Sequence, residues 1–302
     1  MKLPRILAPL VGGLLTALCG ATAYAQDGTN LYVEIEARGV YSSRAVVDGD
    51  AIESSGGGAS IETGFEWRQG RTAVQFDLGA EIFDYTDESR PRRETLRAVA
   101  SLSHEVIADV TISVAAGHWE DIVTLESLET DQDAVALDVT YEDRPHRVGL
   151  GAQYRKREYA GGRVSTGEGM RFDADYTYRF GSWHFARLDL RAEDIDSDHP
   201  RRGYERHTVR ASYSVPLDKA KTWRFRPQIE WRSWEYDGRR VLDTGGEPLR
   251  KDRYIAPEIG FTYGKADGLK ARLRAAWQFR DSNDRRYRED APYVDLRLGY
   301  RF

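Results

Sequence analysis

Fourteen segments of this chain alternate apolar and polar residues with a period of two, and no other feature narrows the possible folds as far. Successive side chains of an extended strand point to opposite faces, so such segments build a sheet with one apolar and one polar side. The segments are Leu31–Tyr41, Ala59–Arg68, Ala73–Phe83, Thr95–His104, Val110–Trp119, Ala134–Tyr141, Arg147–Tyr159, Met170–Phe180, His184–Glu193, Glu205–Val215, Trp223–Trp234, Arg253–Tyr263, Leu269–Arg280 and Tyr293–Phe302. Each is close to the ~9–11 residues that cross a bilayer as a tilted strand.

The connections alternate as well. Tight turns follow the even segments: Gln69–Arg71, Glu105–Asp109, Glu142–Pro145, Gly181–Trp183, Pro216–Lys221 and Gly264–Gly268. Longer polar loops follow the odd ones: Ser42–Gly58, Asp84–Glu94, Glu120–Asp133, Ala160–Gly169, Asp194–Gly203, Tyr236–Asp252 and Asp281–Ala291. Short turns on one side and long loops on the other are the asymmetry of a membrane barrel, whereas a soluble sandwich has no need of it. The expected fold is all-β: an up-and-down antiparallel transmembrane β-barrel of about 14 strands. Both termini and the tight turns then lie in the periplasm, with the long loops outside.

The two faces differ in chemistry. On the outward phase fall Val33, Ile35 and Ala37, then Val74, Phe76, Leu78 and Ala80, then Val135, Leu137, Val139 and Tyr141. Phe172, Ala174, Tyr176, Tyr178, Leu188, Leu190 and Ala192 continue the belt, as do Leu269, Ala271, Leu273, Ala275 and Trp277. None is charged. Arg or Lys facing lipid at the midplane costs ~2–4 kcal/mol, which accounts for the exclusion. Aromatic residues near segment ends (Trp67, Trp119, Tyr159, Phe180, Trp223, Trp231, Phe261, Tyr263, Trp277, Phe279 and Tyr300) suit the two interfacial girdles. Pro227 and Pro257 fall inside segments eleven and twelve, where a missing N–H predicts a bulge or weakened pairing.

The N-terminus reads as a secretory signal. Lys2 and Arg5 precede the apolar run Ile6–Leu18, and Ala23-Tyr24-Ala25 is a small-x-small cleavage site. Residues 1–25 are the expected signal peptide and 26–302 the barrel. Cys19 is the single cysteine, and Leu18 before it does not fit a lipobox. The mature chain therefore has no disulfide and no thiolate metal site. After Ala25 no apolar run approaches the ~20 residues of a membrane helix. Charged residues make up 31% of the chain, with 44 basic and 49 acidic. Loss of Lys2 and Arg5 takes the net charge from −5 to −7, which argues against a nucleic-acid partner.

The final segment ends on Phe302, with Tyr300 two residues earlier, after strict alternation from Tyr293. It resembles the closing strand of bacterial outer-membrane β-barrels. The resemblance implies that Tyr300 and Phe302 are read by the barrel-assembly machinery, and that outer-membrane lipid and lipopolysaccharide surround the protein. Arg/Asp-rich loops such as Arg250–Tyr254 and Asp284–Arg288 are similar to those in the C-terminal barrel of surface lipoprotein assembly modifiers. Those proteins carry a periplasmic helical-repeat domain before the barrel. Here the first segment starts near Leu31, which leaves no room for such a domain and counts against that function, although an isolated relative could still need a partner protein.

The inward face carries the remaining chemistry. Segments one to three contribute mostly acids, among them Glu34, Glu36, Glu62 and Glu66; Arg38 and Arg68 are the exceptions. Segments eleven, thirteen and fourteen contribute mostly bases, Arg224, Arg226, Arg272, Arg274, Arg297 and Arg301, with Glu230 and Asp295 as exceptions. Segments eight and nine mix Arg171, Asp173 and Asp175 with Arg187, Asp189, Arg191 and Glu193. Closure sets the arginine wall beside the acidic one. With no plug domain, a barrel of this size is expected to hold water. Two readings stand side by side: a charged pore that orients polar or charged solutes, and salt bridges that only brace the wall. An arginine-rich lumen is similar in style to porins for acidic sugars.

The expected function is passive diffusion of small polar or charged solutes, with no cofactor, no metal and no catalysis. The oligomeric state is left open. Two alternatives stand beside it: export or assembly of a surface (lipo)protein or polysaccharide, and a lipid-modifying outer-membrane enzyme. For the enzyme, His118-Trp119-Glu120 is the best candidate, although an interfacial His and Trp is the simpler reading. His207 is separated from Ser212 and Ser214 by strand alternation. The acidic loop Glu120–Asp133 offers carboxylates to a divalent cation or to lipopolysaccharide, and a solvated acidic loop is the simpler reading. Loop Asp281–Ala291, with Arg285, Arg286 and Arg288 among acids, reads the same way.

Overall fold

The computed structural model describes residues 28–46, 52–127, 129–160, 165–181, 184–241, 248–264 and 267–302. The signal segment with Cys19, and parts of the turns and loops around 47–51, 161–164, 182–183, 242–247 and 265–266, lie outside them. The strands are β1 (Thr29–Val46), β2 (Ile52–Gln69), β3 (Thr72–Tyr85), β4 (Arg93–Ile107), β5 (Val110–Ile122), β6 (Thr130–Asp143) and β7 (His146–Tyr159). They continue with β8 (Ser165–Phe180), β9 (His184–Ser197), β10 (Tyr204–Pro216), β11 (Trp223–Arg240), β12 (Leu249–Gly264), β13 (Gly268–Ser282) and β14 (Ala291–Arg301). Each strand pairs antiparallel with the next, and β14 pairs with β1, closing a 14-strand barrel. The only helical turn among the described residues is a 3-10 turn at Arg285–Tyr287.

All fourteen expected segments lie within these strands, apart from Phe302, whose N–H still donates to the Val33 carbonyl at 2.9 Å. The strands overrun the expected segments mostly on the long-loop side. β1 continues to Val46, β2 starts at Ile52, β11 reaches Arg240 and β12 starts at Leu249. The long loops are correspondingly shorter than the sequence suggests. Beyond the bilayer the outward face need not be apolar, so residues such as Ser43, Gly57, Asp237 and Lys251 extend a strand without continuing its signature. On the opposite side the turns stay tight. Gly70, at φ +55°, closes the two-residue turn between β2 and β3.

The outward phase is the expected apolar belt. Ile35, Val114, Val135, Leu137, Leu150, Phe172, Ile229, Ile259 and Leu298 are all exposed. An exposed apolar surface on this scale needs a non-aqueous partner, which a bilayer supplies. Val33 departs from the belt at 8% exposure, where its carbonyl meets the Phe302 amide. Replacing Leu137 with arginine should destabilise the barrel by ~2–4 kcal/mol, measured by denaturant unfolding from lipid vesicles. An unchanged midpoint would place Leu137 outside the membrane.

The two prolines interrupt pairing without bulging the strands. The β10–β11 ladder lapses between Ser212–Gln228 and Val215–Phe225, beside Pro227. The β12–β13 ladder lapses between Ile255–Phe279 and Glu258–Ala276, beside Pro257. The register is the same on both sides of each gap, so a missing donor is absorbed as a short break.

Candidate functional site: the charged lumen

Alternation sends the charges inward, and the register decides which of them meet. At the β14–β1 seam Glu36 lies 3.3 Å from Arg297, and Lys270 reaches from β13 to Glu34 at 2.6 Å. Glu62 pairs with Arg97 and accepts a hydrogen bond from the Tyr32 hydroxyl at 2.8 Å. Tyr32 also donates to Asp77 at 2.6 Å, and the Arg301 guanidinium lies 3.7 Å from the centre of its ring. Glu66 meets Arg68 at the exposed turn end of β2, 3.1 Å away. Further round the same side of the lumen Arg224 donates to Ser214 (3.2 Å) and Arg226 to Ser212 (3.3 Å). Arg274 is fixed by both Glu258 oxygens at 3.0 Å and by Tyr293 at 2.6 Å, and Arg272 lines a cavity shared with Glu34 and Arg297.

The acidic and basic sets thus face one lumen, around a cavity of about 390 Å³ at its turn end and one of about 220 Å³ at mid-height against β1–β4. The walls are less pure than their sequence order suggests. Arg38 of β1 crosses the seam to Asp295 of β14 at 3.2 Å. Between β8 and β9, Asp173 bridges Arg171 (2.5 Å) and Arg191 (2.7 Å), while Arg187 pairs with Asp189 at 2.6 Å.

The loop end of the lumen is different. A water-filled bore is expected there, but packed side chains occupy it. Glu193 is fully buried, lies 2.6 Å from the Arg155 guanidinium, and holds Arg206 and the Tyr204 hydroxyl. Glu230 does the same for Arg232 (2.8 Å), Arg210 and Tyr254. Guanidinium groups lie over the rings of Tyr204, Tyr236 and Tyr254. Trp234 donates to the Tyr236 hydroxyl at 2.8 Å. On the other side Phe83 sits between Arg38 and Arg93, 5.6 and 5.4 Å from its ring centre. Buried charge is tolerated here because the carboxylates are paired and hydrogen-bonded several times over.

Two loop segments complete this layer. Val46, at the end of β1, exchanges two hydrogen bonds with the Gln278 side chain and joins an apolar cluster with Tyr204, Trp234 and Tyr254. Leu125, from the β5–β6 connection, enters the same cluster. Its neighbour Glu126 meets Arg157 at 2.6 Å with both side chains at 0% exposure, and accepts from Tyr159 at 3.1 Å. This corrects the reading of Glu120–Asp133 as a solvated acidic loop. Glu120 and Asp133 are exposed, but Glu126 is turned inward because a buried arginine awaits it. Loop Asp281–Ala291 is also partly folded in. Asp284 is buried against Arg286 (2.5 Å), whose guanidinium holds its carboxyl below the usual range, and Tyr287 packs 3.2 Å under Arg250.

Two expected girdle residues belong to the interior. Tyr159 is fully buried on the lumen face, and Trp119 lies over Gly117, where a Cβ would stand 2.5 Å from its ring. The signal that would have exposed the packed layer is the phase of the large residues Tyr159, Tyr204, Trp234, Tyr236 and Tyr254. All fall on the inward phase of their strands, and at one end.

His118 lies on the outward face, with Nδ1 2.7 Å from Asp133 and Nε2 3.5 Å from Glu120. His207, also outward, pairs with Glu205 at 3.0 Å, away from the buried Ser212 and Ser214. The rings of Tyr300 and Phe302 meet on the outer face, 4.7 Å apart at their centres and tilted by 54°.

No protein-family profile matches the sequence, and no curated protein matches it. Solved structures do match the fold. A bacterial polysaccharide outer-membrane secretin is 10% identical over 90% of this chain and 98% of its own, with a TM-score of 0.58. The outer-membrane channel DcaP of Acinetobacter baumannii is 12% identical over 91% and 97%, with a TM-score of 0.51. An anion-selective porin from Comamonas acidovorans is 12% identical over 91% and 99%, with a TM-score of 0.50. The fold is therefore that of the outer-membrane β-barrel porins and channels. The likeness to assembly modifiers is not among what these comparisons show.

Proposed function

We propose that the protein is an outer-membrane channel for small charged solutes, reached through a charged turn-end vestibule and closed at its loop end by the inward-folded β5–β6 connection. The observation that carries this is the division of the lumen: an open, charged cavity at the turn end and a packed ionic layer toward the loops. The layer is held partly by a loop tip, which can leave without breaking the barrel. Conduction is then diffusion through the lumen in the minority of molecules whose loop is undocked. The residues set the charge of the path, and no bond is made or broken.

In a planar bilayer the protein should give discrete, infrequent openings. Replacing Arg272 and Arg274 with glutamate should shift the reversal potential under a salt gradient toward cations. Electrical silence at every voltage, in the wild type and in Glu126→Ala alike, would reject the channel.

The packed layer also favours a second reading, in which the barrel does not conduct by itself but works with a partner in export or assembly at the surface. Specific co-purification of a surface lipoprotein or polysaccharide with an electrically silent barrel would decide for it.

A further inference from the structure

The register across β11, β12 and β13 forms a trough in the lumen wall. Thr262 stands between Arg224 and Arg272, and Gly260 between Arg226 and Arg274. With neighbouring strands ~4.8 Å apart, the two arginine columns are about 10 Å apart at their Cα atoms, with a repeat of about 7 Å along each. The floor between them carries a hydroxyl and a glycine. A Cβ on Gly260 would stand 3.3 Å from the Arg226 carbonyl, so the bare floor suits this close approach.

The trough opens into the cavity of about 390 Å³. Glu34 and Glu36 are the carboxylates lining that cavity, and each has its own cation, Lys270 at 2.6 Å and Arg297 at 3.3 Å. Lys221, Arg224 and Arg272 line the same space, so five basic side chains and two carboxylates face it. Arg224 and Arg226 donate to hydroxyls, Ser214 and Ser212, and the buried Arg226 Nε has no hydrogen-bond partner. Low-dielectric walls focus such a field into the cavity.

We infer that this trough is a binding site for small oxyanions, carboxylate or phosphate. Guanidinium forks match either group, and the Thr262 hydroxyl supplies a further donor between them. The inference deepens the channel reading and rests on it for the vestibule as the solute's way in.

Isothermal titration calorimetry on the full barrel in zwitterionic detergent tests it, with sodium phosphate and sodium succinate as separate titrants and sodium chloride as the blank. Saturable binding of at least one anion is expected, weakened roughly tenfold or more in the double variant Arg224→Gln/Arg272→Gln. Glu34→Gln should tighten binding, by roughly threefold, because it removes one negative charge from the cavity. That gain cannot come from a misfolded protein. Phosphate alone would assign a phosphate-bearing solute, succinate alone a carboxylate, and both the shared chemistry. No saturable heat from either anion, unchanged affinity in the double variant, or no gain in Glu34→Gln would overturn the site. Calorimetry needs no current. A barrel that binds anions but stays silent in a bilayer overturns the channel alone, and a conducting barrel that binds neither anion overturns the site alone.

Discussion

Glu126→Ala should convert a mostly closed barrel into a mostly open one. Glu126 lies 2.6 Å from the fully buried Arg157, and it also accepts from Tyr159. Arg239 donates to the carbonyls of Leu125 and Glu126 at 3.4 Å each, so the segment is pinned by main chain as well as side chain. Removing one partner of a buried pair costs ~3–5 kcal/mol. The loop can avoid that penalty by undocking, which takes Leu125 out of the aromatic cluster and lets water reach Arg157. A change of ~3 kcal/mol moves a docked–undocked equilibrium by about 100-fold, and open probability should rise accordingly. Glu126→Gln, which keeps a hydrogen-bonding head, should fall between the two. Single-channel recording reads all three. If Glu126→Ala conducts no more than the wild type, the β5–β6 connection is not the gate.

Glu193→Ala should be the most destabilising single substitution in the lumen. The carboxylate holds Arg155 at 2.6 Å, together with Arg206 and the Tyr204 hydroxyl, and all four side chains are buried. Without it two guanidinium groups remain in a dry layer with one counter-charge fewer. A loss of ~3–5 kcal/mol is expected from unfolding in detergent or vesicles. A water-filled lumen would give a different answer, since solvated pairs contribute only ~0–1 kcal/mol. The size of the loss therefore separates a packed layer from an aqueous bore. Arg157 also donates to the Tyr204 hydroxyl at 3.1 Å, which links the Glu126 pair to the Glu193 cluster. The double variant should depart from additivity for that reason.

Period-two alternation made the barrel legible, because the bilayer imposes it on every strand between Leu31 and Phe302. It also placed Glu34, Glu36, Arg297 and Arg301 on one side of one seam. What it could not show is depth. A lumen-facing arginine in water and one inside a packed layer leave the same mark on the sequence, so Arg157 and Arg224 looked alike. Their difference lies in what crosses the barrel to meet them. For Arg157 that is Glu126, some thirty residues away along the chain, carried in by a loop whose acidity suggested solvent. Strand ends were obscured for a related reason. Above the membrane the outward face of β6 and β12 carries Asp131, Asp133, Lys251 and Arg253, and polar residues on both faces erase the alternation.

The salt bridges at the seam bear on how the barrel shuts. A strand displaced by one residue would expose its charges to lipid, so the membrane rejects that error. A strand displaced by two keeps its apolar face outward and passes the same test. Arg297 with Glu36, Lys270 with Glu34, and Arg38 with Asp295 form together only in the native register. The first and last strands are the farthest apart in the chain, and their pairing closes the barrel. Their ion pairs act as a lock with a single key position, checking at the moment of closure an alignment that hydrophobicity alone leaves undecided.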